Sequence, residues 1–208
     1  MLEKMTWVSP GEIEARSMEI ISGEMPSGDW TDGELAVVKR CIHTSADFDY
    51  AKNLYFSPGA VDRALSLLRG GVTIVTDTNM AAAGINKAAL TRLHATVRCF
   101  MADADVAAEA KERGITRAIV SMERAAALEE PVFFAIGNAP TALVRLYEMI
   151  TSGEFVPAFI VAAPVGFVNV TEAKELIRSL DIPCIIARGR KGGSNIAAAI
   201  CNALMYQI

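Results

Sequence analysis

From position 72 onward the chain alternates short, β-branched apolar runs with longer stretches whose apolar residues recur at helical spacing. The short runs read GVTIVTD, ATVRCF, RAIVSM, VFFAIG, AFIVAAP and PCIIARG. A strand with one wet face alternates apolar and polar residues, whereas most of these runs are apolar throughout, as strands covered on both faces of a parallel sheet are. The intervening segments ADVAAEAKERG, NAPTALVRLYEMI, NVTEAKELIRSL and GSNIAAAICNALM have helical periodicity and carry Asn, Asp or Ser near their starts. Strand followed by helix, repeated, predicts right-handed crossovers and a three-layer α/β fold, with a mainly parallel sheet and helices on both faces. The first 70 residues differ: their spacing predicts three helices, at about 10–24, 33–46 and 58–70, all preceding the first strand of the sheet. No linker, repeat or low-complexity tract interrupts the pattern, so residues 1–208 are expected to form a single domain.

Composition narrows the function classes. Apolar residues make up 52% of the chain, and mean hydropathy is +0.30, yet the most apolar run, AFIVAAPVGFV, is broken by Pro164 and Gly166 and is far shorter than the ~20 residues that cross a bilayer. The start, MLEKMTWVSPGEIEARS, has charges where a secretory signal keeps its apolar centre. A cytoplasmic protein that spends its apolar excess on buried strands and a subunit interface is the expectation. A net charge of −4 argues against nucleic acid, which is bound through basic patches. Cys41, Cys99, Cys184 and Cys201 form no CxxC pair and, with only two histidines, no zinc pattern, so they read as reduced thiols.

In an open parallel sheet, ligands sit beyond the carboxyl ends of the strands. The loops that fall there are TDTNM, IGNAPT, APVGFVN and ARGRKGGSN. In GRKGGSN, Arg190 and Lys191 supply charge, Gly192 and Gly193 permit close backbone approach, and Ser194 stands near a helix start, a set suited to an anion or simply to packing. The loop has neither the GxxxxGK[ST] nor the GxGxxG spacing of nucleotide sites. In IGNAPT, Asn138 reads as a helix N-cap and Pro140 as a first-turn residue.

The N-terminal helices carry the titratable groups. Ile13, Ile20 and Ile21 predict a buried stripe on the first helix, with Arg16 and Ser17 on the same side. A buried arginine needs a partner, and either an internal glutamate or a ligand carboxylate would serve. On the second helix, Arg40 and His43 are three apart and Thr44 is four after Arg40, so an anion-binding guanidinium, a proton-transfer group and a hydroxyl are expected on one side. The other histidine, His94, in LTRLHATV, is read as having no catalytic role.

Taken in order, RCIHTSADFDYA, TDTNMAAAGI, KERGITRA, IGNAPTAL, PVGFVNVTEAKE and GRKGGSNIAAAICNAL resemble the successive motifs of the precorrin-8X and cobalt-precorrin-8 methylmutase family, over nearly the whole chain. Ser45 stands where a second threonine is common. The resemblance implies an isomerase of corrin-ring construction that moves a methyl group from C-11 to C-12 on ring C. It implies a homodimer with the tetrapyrrole bound near the subunit interface and no added cofactor, and it places the catalytic histidine on His43.

That substrate is an apolar disc edged with acetates and propionates, which calls for an apolar floor and a rim of arginines and helix N-termini. Arg16, Ser17, Arg40, Thr44, Arg117, Arg190, Gly192, Gly193 and Ser194 are the expected substrate-binding residues, and no resident metal is expected. Two other readings compete. A tetrapyrrole carrier without catalysis would keep the arginines and not need RCIHT, and a flavodoxin-like nucleotide domain is suggested only by strand–helix alternation.

Overall fold

The computed structural model describes residues 7–208. In chain order the elements are α1 (Ile13–Glu24), α2 (Asp32–Ser45), α3 (Tyr50–Asn53), β1 (Leu54–Phe56), α4 (Ala60–Arg69), β2 (Thr73–Thr76), α5 (Asn79–Gly84), α6 (Lys87–Arg92), β3 (Thr96–Arg98), α7 (Ala104–Arg113), α8 (Arg117–Ala126), β4 (Val132–Ile136), α9 (Pro140–Thr151), β5 (Phe159–Ala162), α10 (Val170–Arg178), β6 (Cys184–Ala187) and α11 (Ser194–Met205).

The strands form a six-stranded sheet in the order β1-β6-β5-β4-β2-β3. All neighbours are parallel except β1, which runs antiparallel along β6 with Tyr55 opposite Ile186. Every residue of β2, β4, β5 and β6 is buried, which accounts for their continuous apolar runs: successive side chains point to opposite faces, and both faces are covered. Phe133 and Ala135 enter one core with α2, α4 and α11, whereas Phe134 and Ile136 enter the other with α7–α10. Phe133 stacks on Phe159 of β5 with ring centroids 4.7 Å apart. ATVRCF forms the edge strand β3, which is short and half wet.

Three expectations are corrected. RAIVSM is not a strand but the first half of α8. Ala118, Ser121, Met122 and Ala125 are buried at i, i+3, i+4 and i+7, and the Thr116 hydroxyl accepts the Ile119 N–H as a cap, so helical spacing overrides the β-branched pair Ile119–Val120. A strand, β1, already precedes α4. It is three residues long, too short to show a period. Finally, on α1 only Ile21 is buried; Ile13 and Ile20 are 54% and 45% exposed.

Helix α11 is the central packing element, with ten of its twelve residues buried. It lies between the sheet and α2, and its alanines let α2 and α5 approach closely. No helix among the described residues is long and apolar enough to cross a membrane. Cys41, Cys184 and Cys201 are buried and Cys99 is half-buried, all four unpaired.

Candidate functional site

Helix α2 is fixed at its start by a capping box: the Thr31 hydroxyl accepts the Glu34 N–H and the Glu34 carboxylate accepts the Thr31 N–H. At its end Ala46 adopts a left-handed conformation (φ 55°) and returns its N–H to the Ile42 carbonyl. This turn leaves His43 in the last helical turn, half-buried, in the wall of a cavity of about 350 Å³ lined by Ser17, Ile20, Ile21 and Glu24 of α1 and by Ile42, His43, Ala46 and Phe48. The lining is apolar except for the histidine, a serine hydroxyl and a carboxylate. Ser17 spends its proton on the Ile13 carbonyl (2.8 Å), leaving its oxygen as an acceptor. His43 lines the cavity, makes no hydrogen bond among the described residues and has no ring nitrogen buried without a partner.

Arg40 and His43, expected on one side of α2, line different cavities, so a ligand shared between them must span both. Arg40 lines a second cavity, of about 270 Å³, with Glu14, Met18, Lys39, Tyr206 and Gln207. It pairs with Glu14 at 2.6 Å and lies over the Tyr206 ring at 5.1 Å. Helix α1 packs along α2 so that its Glu14 and Met18 serve this cavity while Ser17, Ile20 and Ile21 serve the other. Nor is Arg16 buried: it points outward and pairs with Glu19 one turn on, at 2.8 Å. The internal glutamate is therefore its partner. Thr44 is exposed and lines neither cavity.

The sheet's carboxyl rim is built differently. From β2 the chain steps outward to β3 and then returns to the other side for β4, so the switch point lies between the ends of β2 and β4. A nucleotide phosphate would sit there in a nucleotide-binding sheet. Here Asp77, fully buried at the end of β2, fills it, accepting the amides of Gly137, Asn138 and Ala139 at 2.8, 2.8 and 2.6 Å. Burial pushes the Asp77 carboxyl pKa up, and the three amides oppose that rise. The crevice is occupied by the protein's own anion, which removes the nucleotide reading. It also corrects the role given to Asn138: the cap position of α9 is Ala139, which has no side-chain cap, whereas Asn138 is exposed and gives its own N–H to Asp77 on the neighbouring strand end.

Next to it, the Thr78 and Ser194 hydroxyls pair at 2.7 Å, joining the start of α5 to that of α11. Gly193 donates to the Ala163 carbonyl and Gly166 to the Arg190 carbonyl. A side chain at Gly192 would put its Cβ 2.2 Å from the Ala163 oxygen, and one at Gly137 would be 2.6 Å from the Ser194 Cα. Glycine is required at both by contact, and Ser194 is consumed by structure more than offered to a ligand. Of the two basic residues in the loop, Arg190 is exposed over the Phe167 ring (5.6 Å). Lys191 is not an unoccupied charge: it pairs with both Asp47 and Asp49 at 2.6 Å. The bond to Asp47 lowers that carboxyl's pKa, and the two bonds together raise that of Lys191. They also tie the rim loop to the segment that follows His43.

Arg117 stands in the other helical layer. The Thr116–Thr141 hydroxyl pair (3.1 Å) holds it beside the first turn of α9, exposed and with no ion-pair partner among the described residues. Among those residues no cluster of three His, Cys, Asp or Glu side chains could hold a metal. Two buried ionisable groups escaped the sequence reading, Asp77 and Lys174. The second had a signal: Val170, Ala173, Lys174 and Ile177 form the buried stripe of α10, so a lysine sits where an apolar residue belongs.

The protein is thus an α/β sheet whose switch point is plugged by a carboxylate and whose histidine-lined apolar cleft lies outside the sheet. Residues 12–207 match the model of the Precorrin-8X methylmutase family, and the chain belongs to that family. It is 39% identical to the cobalt-precorrin-8 methylmutase of Priestia megaterium over 197 residues, covering 95% of this chain and 88% of that one. To the cobalt-precorrin-8 methylmutase of Salmonella typhimurium it is 45% identical over 176 residues, covering 83% and 81%. The crystal structure of precorrin-8x methyl mutase from Thermus thermophilus superposes with a TM-score of 0.86 at 36% identity, over 94% of this chain and 96% of that one.

Proposed function

We propose that this chain is an isomerase of corrin-ring biosynthesis that moves a methyl group from C-11 to C-12 on ring C of precorrin-8X or cobalt-precorrin-8, giving hydrogenobyrinate or cobyrinate. The observation that carries the reading, beside family membership, is that His43 lines an apolar cleft and makes no hydrogen bond to a neighbouring side chain among the described residues. The shift is internal to a conjugated ring, so the protein need supply only orientation and a proton. His43 donates that proton to ring C, which makes the neighbouring carbon electron-poor so that the methyl migrates from C-11 to C-12 with its bonding pair, and His43 takes the proton back once the shift is complete; Ile20, Ile21, Ile42 and Phe48 exclude water around it. Any cobalt belongs to the substrate and asks for no protein ligand.

A cavity of about 350 Å³ lies near the low end of small-molecule sites, roughly 300–1,000 Å³, and admits one substituted ring of the macrocycle, not the whole disc. The remainder extends over the α1–α2 surface, where Arg40 and the exposed Ile13 and Ile20 lie. A homodimer covers it there, and supplies to each site the arginines of the second copy. Arg190 and Arg117 are the peripheral carboxylate contacts of this reading, with Gly192, Gly193 and Ser194 shaping the loop. Residues 1–208 act as one catalytic domain, working in the cytoplasm.

Incubation of the purified protein with precorrin-8X and with its cobalt form tests this directly. Conversion of either to a ring-C-rearranged corrin, seen by its visible spectrum, is the expected result. Stoichiometric binding without conversion of either compound would instead mark a tetrapyrrole carrier.

A further inference from the structure

Lys174 is fully buried in α10. Its ammonium donates to the Gly189 carbonyl at 2.8 Å and the Lys191 carbonyl at 2.9 Å, bracketing Arg190 on the loop that leaves β6. Burying a lysine is costly unless its hydrogen bonds are well made, and a packed apolar side chain would suit a purely structural stripe better. A cation beneath a loop that presents glycines and an arginine does something an apolar residue cannot: it fixes the two carbonyls inward, so that the intervening residues face outward, and it adds positive charge under a surface that receives anions.

We propose that Lys174 is a positioning residue for substrate binding, its buried ammonium holding the Gly189–Lys191 segment in the conformation that presents Arg190 to a peripheral carboxylate of the tetrapyrrole. The inference rests on the proposed function in taking that loop as a substrate contact. The surrounding charges are engaged elsewhere. On its own helix, Glu175 takes Arg178 and Arg188; in the loop, Lys191 takes Asp47 and Asp49; on α9, Arg145 and Glu148 pair with each other. On β6, burial pushes the Cys184 thiol up to about 11. Burial likewise lowers the Lys174 pKa to about 8, so its charge changes within an accessible pH window in which arginines and ligand carboxylates keep theirs.

The experiment measures hydrogenobyrinate affinity and single-turnover rate for wild type, Lys174→Met and Arg190→Ala, with affinity followed from pH 6.5 to 9.5. Lys174→Met, close in shape, is expected to bind product about tenfold more weakly while the rate of bound substrate changes less than twofold. The wild type should lose affinity by about three- to tenfold as pH rises through about 8, the change expected when a polyanion shifts a nearby pKa by up to one unit, and Lys174→Met should lack that step. The wild-type pH series stands even where the variant fails to fold. If Arg190→Ala weakens binding but Lys174→Met does not, or if the wild-type affinity is flat through pH 8, the positioning role is overturned alone. If the wild type binds product and neither substitution matters, the loop is no substrate contact and the inference falls with that assignment. A wild type that binds no hydrogenobyrinate overturns the proposed function itself.

Discussion

Around His43 the cleft wall is helix α1, of which only Ile21 is buried. At the sheet rim, Asp77 and Lys174, neither with exposed surface, bind the strand-end loops through five hydrogen bonds to main-chain groups. The two regions meet at the Lys191 pairs with Asp47 and Asp49. A helix with so little buried apolar surface opens at low free-energy cost, whereas loops tied by buried charge do not. On the proposed function, that difference suits the α1–α2 side to entry and enclosure of the ligand, and the rim to a fixed template for its carboxylates.

The sharpest break of this contrast is His43→Ala. The variant is expected to fold and bind product nearly as wild type does, with its single-turnover rate reduced by about 10²–10⁴-fold, the usual contribution of a general acid. His94→Ala, altering an exposed residue past the end of α6, should leave the rate unchanged. A normal rate for His43→Ala would mean that orientation alone drives the shift.

On the rim, stability is the readout. Asp77→Ala orphans three amides in a buried site and should cost on the order of 3 kcal/mol in urea unfolding, since each unsatisfied buried group costs roughly 1–3 kcal/mol and part is recovered by relaxation. Gly192→Ala forces a Cβ against the Ala163 carbonyl and should cost about 1–3 kcal/mol, with product affinity reduced because the loop must shift. Equal stability of either variant to wild type would show the rim to be as yielding as the cleft.

At Arg40 the readout is affinity. Arg40→Ala should weaken product binding by roughly 1.5–3 kcal/mol, the worth of a charge-assisted hydrogen bond, with little change in the bound rate. A collapsed rate at unchanged affinity would show instead that Arg40 acts through His43. Glu14 holds the guanidinium that the proposed ligand carboxylate would take, and its own carboxylate is largely exposed. Glu14→Gln should therefore improve affinity by no more than about fivefold, in keeping with the ~0.2–1 kcal/mol of an exposed ion pair. A loss of affinity would mean that Glu14 positions Arg40 rather than occupying it.

Much of this molecule is set by local pattern. Continuous apolar runs fixed β2, β4, β5 and β6 as doubly covered strands, and the periodicity of α7, α9, α10 and α11 fixed the helices between them, because burial on both faces leaves no polar position to alternate. His43 stood out in sequence as a scarce ionisable ring three residues after an arginine on one helix, but its proposed catalytic role came from the resemblance of RCIHT to the family motif. What pattern could not give was partnership. Arg16 sat among isoleucines in sequence but turns to Glu19, since α1 covers α2 with one narrow edge and leaves Ile13 and Ile20 outside. Arg40 and His43 share a helix yet serve different cavities, because α1 packs between them. Asp77 reads locally as a turn residue, and its three acceptor bonds exist only once β2 and β4 lie side by side. Lys174 broke an apolar stripe, but the carbonyls that satisfy it come from 15 and 17 residues further on. Sequence by itself determined which residues must leave water and on which period; only the tertiary structure decided which polar group faces which, because burial is a property of one residue and its neighbours in the chain, whereas a hydrogen bond needs two groups that the fold alone brings within 3 Å.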